Sequence, residues 1–373
     1  MPTRPASTGE LHKRVIMGVE VEAYSITTST FRVGRRISRP VRPVSEKGER
    51  FTRDASIGSE YNSRPFATIR EAFFLLKSGL RKYFHALYDS KKQRESTIPL
   101  LVGGWLNRFA GTHIHISLDG AELTLERAKR LTAHIHDHVP LLIAMGANSP
   151  IWGNLITSTA SNRILKGSPK YFRPLVRGAL SSEDMNEFVF NRGRKRKPAT
   201  LELRFLDSNI PEYVVAAMSV VKAACLGHLR RGRIRNRIRH AEYIQSREEA
   251  AVRGMRAYLC WNGKWMKATD YLDRYLLEYH DEFRAMDVPE DIFEIFRLLK
   301  REYNGSRLLL EGANIAKEEH PQTWRRRFAK RYAKGIELLL SGNSIWDLAE
   351  AIEVQLPPTS RVWLGRKGLI LDG

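Results

Sequence analysis

Apolar and polar positions alternate in several separate stretches of the chain, and these alternations mark its strands. Residues 14–26 read as a strand, because 16–21 is apolar-rich with β-branched residues, before Glu22, Ala23 and Tyr24. Strand-like runs follow at 98–102, 113–118 and 199–206. Helical periodicity covers 69–88, with Phe73, Leu76, Leu80 and Phe84 on one face. It returns at 124–138, where Thr124 can cap and Leu125, Ala128, Leu131 and Ile135 form the apolar stripe. Residues 140–146 continue this as a short apolar run, and Pro211 opens an apolar helix through 226. Residues 31–50 read as a basic extended loop or hairpin, and 147–200 as loop-rich with a basic tip. After Leu206 strand signals nearly vanish, and beyond about residue 227 the character changes. Helical patterns dominate there, at 247–260, 268–286, 289–303, 324–341 and 344–354. The pattern therefore predicts an α+β catalytic region, 1–226, followed by a helical C-terminal region, 227–373.

Composition narrows the classes. The chain has 373 residues, of which 42% are hydrophobic, so it can bury a sizeable core. No run approaches the ~20 apolar residues that a membrane span needs, and residues 1–10 lack the apolar centre of a secretory signal. The two cysteines, Cys225 and Cys260, sit among apolar neighbours and in no zinc-type pair. They read as buried thiols, which fits a reducing cytoplasm. The formal charge of +21 is the unusual feature. Its arginines and lysines cluster at 32–42, 192–197, 230–239 and 325–331. Such clusters suit an acidic macromolecule or nucleic acid, and equally a solvated basic surface. No helix-turn-helix, zinc-finger or RNA-recognition signature accompanies them.

The candidate chemistry lies on the polar beat of three strands. Glu20 and Glu22 alternate with valines, His113 and His115 with isoleucines, and Glu202 and Arg204 with apolar residues. Successive strand side chains point to opposite faces. Paired in one sheet, the three strands put all six groups on one face. A merely solvated face would mix in Lys, Ser, Thr and Gln. Here the groups are almost all of metal-ligand type, and carboxylates with imidazole suit Mg²⁺ or Mn²⁺. Asp54 and Glu60 share a parity in a fourth segment, which Gly58 can interrupt with a bulge. Asn148, Pro150, Gly153 and Arg163 form a fifth. Two further features read as non-catalytic: Tyr271, Tyr275 and Tyr279 as one face of a core helix, and His134, His136 and His138 as structural or surface histidines without a third ligand.

Taken in order, these segments resemble the superfamily of carboxylate–amine ligases that includes glutamate–cysteine ligase and glutamine synthetase, an amidoligase type. The match runs through Gly18-x-Glu20-x-Glu22, then Asp54-x-Ser56-Ile57 with Glu60 and Pro65. It continues through His113-x-His115, Asn148 to Arg163, and Glu202-x-Arg204-x-x-Asp207. The resemblance implies a curved, mainly antiparallel sheet backed by helices. It implies ATP, Mg²⁺ (or Mn²⁺) and an acyl-phosphate intermediate. By position, Glu20, Glu202 and one of His113 or His115, with His115 favoured, are implied ligands of one ion. Glu22 and Glu60 are implied ligands of another. Arg163 and Arg204 are implied to meet the ATP phosphates, and Asp54 to orient the amine or take its proton. The cysteine- and glutamate-pocket residues of glutathione synthesis have no match, so the substrates stay open among peptide, polyamine and small-molecule carboxylates and amines. Two other readings compete: a phosphotransferase on the same scaffold, which would leave ADP and a stable phosphorylated product, and a non-enzymatic nucleic-acid-binding protein.

Overall fold

A computed structural model describes residues 12–27, 29–33, 48–52, 57, 60–87, 97–120, 122–183, 185–194, 197–359, 363–365 and 368–370. In chain order the first part runs β1 (Val15–Glu22), β2 (Tyr24–Thr27), β3 (Arg50–Thr52), β4 (Glu60–Asn62), α1 (Ile69–Leu87), β5 (Thr97–Leu100) and β6 (Gly111–Leu118). Then come α2 (Leu125–Ile135), α3 (Val139–Gly146), β7 (Ile151–Trp152), β8 (Leu155–Ile156), α4 (Asn162–Tyr171), β9 (Phe188–Asn191), β10 (Thr200–Asp207) and α5 (Pro211–Arg231). The second part holds α6 (His240–Arg253), β11 (Tyr258–Trp261), β12 (Lys264–Lys267), α7 (Ala268–Glu278), α8 (His280–Ala285) and α9 (Glu290–Lys300). It ends with α10 (Gly305–Glu319), α11 (Trp324–Leu340), α12 (Ile345–Ala351) and the strand pair β13 (Trp363–Gly365) and β14 (Gly368–Ile370).

The alternation along β1, β6 and β10 sets the architecture. One sheet has the order β3-β4-β1-β6-β10-β9, and every neighbouring pair in it is antiparallel. Val19 lies opposite Ile114 and Met17 opposite Ile116, while Leu203 and Leu201 oppose the same two isoleucines from the other side. All six are buried, so the apolar beats of the three central strands make one continuous face. Helices α2, α3 and α5 cover it. In α5, Pro211 occupies the first turn and Gly232, at φ 64°, ends the helix in the left-handed region, as the rules for Pro and Gly require. Nearly every residue from Pro211 to Gly227 is buried. Among the described residues α5 is the one helix long and apolar enough to cross a membrane, yet 89% of its apolar window lies inside the protein. It is the core helix.

The helices of the second part join the same core. Trp105 stacks on Phe328 of α11 at 5.7 Å, the Tyr332 hydroxyl donates to the Leu101 carbonyl, and the Tyr213 hydroxyl donates to the Tyr303 carbonyl. Tyr271, Tyr275 and Tyr279 are buried and surround the buried His138, which explains their spacing. Burial drives His138 down to about 3, so it stays neutral. Two expectations need correction. The pattern at 247–260 is not one helix. It breaks at Gly254, and Cys260 lies on β11, because a Trp-Asn-Gly turn folds 258–267 into a hairpin. Strands therefore do return after β10. The pattern at 268–286 likewise divides into α7 and α8, and residues 147–200 contain α4 with Ser161 as its cap.

Candidate active site

The register brings the predicted polar groups together. Glu20 lies opposite His113, Gly18 and Glu202 flank His115, and Glu22 lies opposite Glu60. Residues directly opposite in antiparallel strands share a face. Glu20, Glu22, Glu60, His113, His115 and Glu202 therefore occupy one face, away from the helices. His113 Nδ1 lies 3.5 Å from Glu20 and 3.3 Å from Glu202, and its Nε2 lies 3.8 Å from Glu22. His115 Nε2 is 3.3 Å from Glu20. One ligand atom each from Glu20, His115 and Glu202 fall within 4.8 Å of one another. Asp54 lies outside the described residues, as do Ser56 and Gly58.

Electrostatics on this face are those of crowded like charges. Burial pushes the Glu20 carboxyl up, but contacts from His113 and His115 prevail and hold it well below the usual carboxylate range. Burial also opposes ionisation of Glu202, and His113, His115 and Arg204 together keep it low. Burial disfavours the charged form of His115, but Glu20 and Glu202 more than offset this and raise it. Glu60 goes the other way. Burial and the neighbouring Glu20 and Glu22 raise it to about 8, against weaker help from Thr52. A face where one carboxyl must keep its proton because others are ionised is short of positive charge. The donor set, carboxylate oxygens with imidazole nitrogens, has the chemistry of a divalent-cation site. His115 Nδ1 faces the Thr200 hydroxyl at 3.3 Å, which leaves its other nitrogen directed at Glu20, without a well-aligned hydrogen bond among the described residues.

Two arginines close one end. Arg204 donates to Glu202 at 2.6 Å. Arg163, only 4% exposed, stacks on Phe172 at 4.2 Å and donates through Nη2 to the Arg204 carbonyl at 2.9 Å. Neither Arg163 Nη1 nor Arg204 Nε has a hydrogen-bond partner among the described residues. Buried guanidinium donors without acceptors are costly, and an anion with several oxygens would satisfy both.

The Glu-x-Arg-x-x-Asp motif contains Asp207 without implying a role for it. In a regular strand the odd separation from Glu202 puts it on the opposite face. The structure instead has a bulge: Leu203 opposes Ile114, but Leu206 opposes Thr112, so β10 carries one extra residue. Asp207 thereby comes opposite Gly111, on the His113 side. There it is 2% exposed and accepts from the Asn148 amide at 2.8 Å, the Ser149 hydroxyl at 2.8 Å and the Ser161 hydroxyl at 2.9 Å. The Arg163 amide in turn donates to Ser149. Asp207 thus ties the Asn-Ser-Pro turn to the start of α4 and fixes where Arg163 emerges. The Asn191 amide, donating to Glu202 at 2.8 Å, was not singled out either. Its strand, β9, lay in the stretch read as loop.

The basic clusters fall only partly among the described residues. Of the first, only Arg32 is described, and Lys195 and Arg196 of the second are not. The run at 230–239 is neither a strand nor a helix basic all round. It leaves α5 at Gly232, and acids from neighbouring helices meet it: Arg230 with Asp281, Arg231 with Glu282, Arg235 with Glu278 and Arg239 with Glu242.

Residues 92–165 match glutamate–cysteine ligase family 2. A protein of Rubrobacter xylanophilus assigned the name glutamate–cysteine ligase 2-1 is 30% identical in a region covering 26% of this chain and 29% of that protein. The match thus spans less than a third of the curated relative. Among solved structures, the complex of the prokaryotic ubiquitin-like protein Pup with its ligase PafA is similar at a TM-score of 0.60, with 13% identity over 93% of this chain and 80% of that one. Glutamate–cysteine ligase from Francisella tularensis, in complex with AMP, is similar at 0.55, with 12% identity over 91% and 92%. A bifunctional glutathione synthetase from Pasteurella multocida is similar at 0.54, with 11% identity over 92% of this chain and 56% of that chain. These likenesses carry the fold.

Proposed function

We propose that this chain, of the glutamate–cysteine ligase-like amidoligase superfamily, is an ATP-dependent ligase that joins a carboxylate to an amine. The observation that carries the reading is the convergence of Glu20, Glu22, Glu60, His113, His115 and Glu202 on one sheet face beside two arginines with unsatisfied donors. In this reading Glu20, Glu202 and His115 hold one Mg²⁺ or Mn²⁺, and Glu22 and Glu60 hold another. His113, between Glu20, Glu22 and Glu202, can serve either. The bound cations supply neutralising charge to ATP phosphate oxygens.

The chain's own groups do the rest. A carboxylate is a poor acyl donor, because its leaving group is oxide. Phosphoryl transfer makes an acyl phosphate, whose phosphate leaves readily when the amine attacks. Charge accumulates on the transferred group, and Arg163 and Arg204 offer fixed, permanently charged donors to it. Asp207 holds Arg163 in place through Ser149 and Ser161. Asp54 accepts the proton of the amine, which must attack as the neutral base. The carboxylate belongs to a small molecule or a polypeptide, since the similar structures include a glutamate–cysteine ligase and the ligase of a ubiquitin-like protein. Both cysteines are buried and free, consistent with a cytoplasmic protein.

The test is an ATP-turnover screen with Mg²⁺ across pairs of amino acids, peptides and polyamines, read by product mass. Phosphate, ADP and a new amide support the ligase. ADP with a phosphorylated product and no amide would reassign the site to phosphotransfer. No Mg²⁺-dependent turnover with any pair, together with no MgATP binding, refutes the reading.

A further inference from the structure

Charged side chains on several helices here are matched at helical spacing. Arg253 meets Glu249, Arg274 meets Glu278, Arg297 meets Glu294 and Arg307 meets Glu311. Helix α11 breaks this habit. It carries Arg325, Arg326, Arg327, Lys330, Arg331 and Lys334 against one acid, Glu337. Arg331 alone of these is paired, with Glu319 and Glu353. The other five are exposed, and none has a carboxylate partner among the described residues. Arg325 is spent on the Asn154 carbonyl at 2.9 Å and Arg327 on the Thr323 hydroxyl at 3.3 Å. Like charges at i and i+4, as in Arg326, Lys330 and Lys334, repel. In the other large arginine cluster, at 230–239, Arg230, Arg231, Arg235 and Arg239 meet carboxylates, whereas in this one only Arg331 does.

The place of this stripe matters. Arg325 fastens it to Asn154, at the turn between β7 and β8, and the Asn154 amide donates to Trp105, whose ring stacks on Phe328 of α11. The next residue, Leu155, is an apolar side chain, 61% exposed, adjacent in the chain to the carbonyl that Arg325 holds. The same turn region continues back to Ser149, which bonds Asp207 and the Arg163 amide. The stripe is therefore linked by hydrogen bonds and a ring stack to the rim of the proposed site.

We propose that the exposed face of α11, with Leu155, is a docking surface for an acidic polypeptide segment. The charge calls for a polyanion, and the neighbourhood selects its kind. Single-stranded nucleic acid binds on exposed aromatic platforms between its cations. Trp324 is buried, Trp152 is stacked on Phe109 at 4.4 Å, and no large exposed aromatic of the described residues lies on α11 or the β7–β8 turn. What the surface offers beside its cations is one aliphatic contact, which suits acidic residues interspersed with an apolar one.

Binding of labelled poly-L-glutamate to the full chain, followed by anisotropy over a salt series, tests this apart from any ligase activity. The triple variant Arg326→Gln, Arg327→Gln, Lys330→Gln should bind about tenfold more weakly and show a shallower salt dependence. The double variant Arg235→Gln, Arg239→Gln should bind as the parent does. Arg326, Arg327, Lys330 and Arg239 are exposed and Arg235 is half-buried, so circular dichroism checks that each variant is folded. Equal binding by the triple variant, or loss in the double variant instead, overturns the proposal. So does tighter binding of a single-stranded oligonucleotide than of poly-L-glutamate, which would make the stripe a nucleic-acid surface.

Discussion

A methyl group at Gly111 should cost the site its arginine geometry. A Cβ built there comes within 2.3 Å of Arg163 Nη2 and 2.8 Å of its Cζ. Ordinary contact begins near 3.4 Å, so the guanidinium must retreat by about 1 Å, a displacement that typically costs about 100-fold when it misaligns a reacting or binding group. A long exposed side chain would simply swing away. Arg163 cannot, because it is stacked on Phe172, bonded to the Arg204 carbonyl and 4% exposed. Overpacking of this kind costs ~1–3 kcal/mol of stability, which the large core should tolerate. The expectation for Gly111→Ala is therefore a folded protein, with a midpoint lowered in urea, whose MgATP affinity by titration calorimetry falls between tenfold and 100-fold, or about 1.4–2.7 kcal/mol. Gly18→Ala is the control. Its Cβ meets nothing nearer than 3.9 Å, although Gly18 opens the first acidic motif. Unchanged MgATP affinity in folded Gly111→Ala, or an equal loss in Gly18→Ala, would refute the role given to Arg163.

Three further outcomes follow from the same geometry. Glu20→Ala should abolish Mg²⁺-dependent ATP turnover, since Glu20 contacts both histidines; full turnover in that variant removes the cation assignment. Glu60 should couple cation binding to pH. Its folded value of about 8 exceeds its ordinary 4.5, so between these values the cation-free folded state holds a proton that the unfolded chain has lost. Cation-free stability should accordingly fall as pH rises through that window, relative to Glu60→Gln. Mg²⁺ binding at neutral pH should release a proton, which calorimetry in buffers of different ionisation heat detects; no difference between buffers counts against Glu60 as a ligand. Asp207→Ala should destabilise by about 3–5 kcal/mol in urea unfolding, because it strands the Asn148, Ser149 and Ser161 donors and leaves Arg163 without its buried counter-charge. A loss under ~1 kcal/mol would show that Asp207 does not organise this end of the sheet.

The site was legible where strand periodicity held and obscure where it broke. Alternation alone was enough to put Glu20, Glu22, His113, His115 and Glu202 on one face, because antiparallel pairing preserves parity across strands. Glu60 was less legible, because Gly58 could break its parity; the register of β4 on β1 sets it against Glu22. Asp207 escaped because its orientation depends on one inserted residue in β10, and a bulge leaves no mark in a pattern of apolar and polar positions. Asn191 and the start of α4 escaped because short elements between turns have too few residues to show a period. The hairpin at 258–267 was lost within a helical pattern, since Leu259, Cys260 and Trp261 satisfy either period until the Asn-Gly turn is given its weight.

Charge was the part least readable from the chain, because it is decided between elements distant in sequence. Both the 230–239 and the 325–331 runs look alike as strings of arginine. Only the fold distinguishes them: α7 and α8 bring Glu278, Asp281 and Glu282 to the first, whereas the acids nearest the second are used up on Arg331. The same logic governs the site itself. Where the chain places carboxylates against one another and supplies two histidines and one bonded arginine, positive charge is still lacking, and Glu60 keeps its proton. Where it places Arg163 with an unbonded Nη1 in a buried position, negative charge is lacking. A cation-borne polyphosphate answers both deficits at once, which neither deficit requires alone.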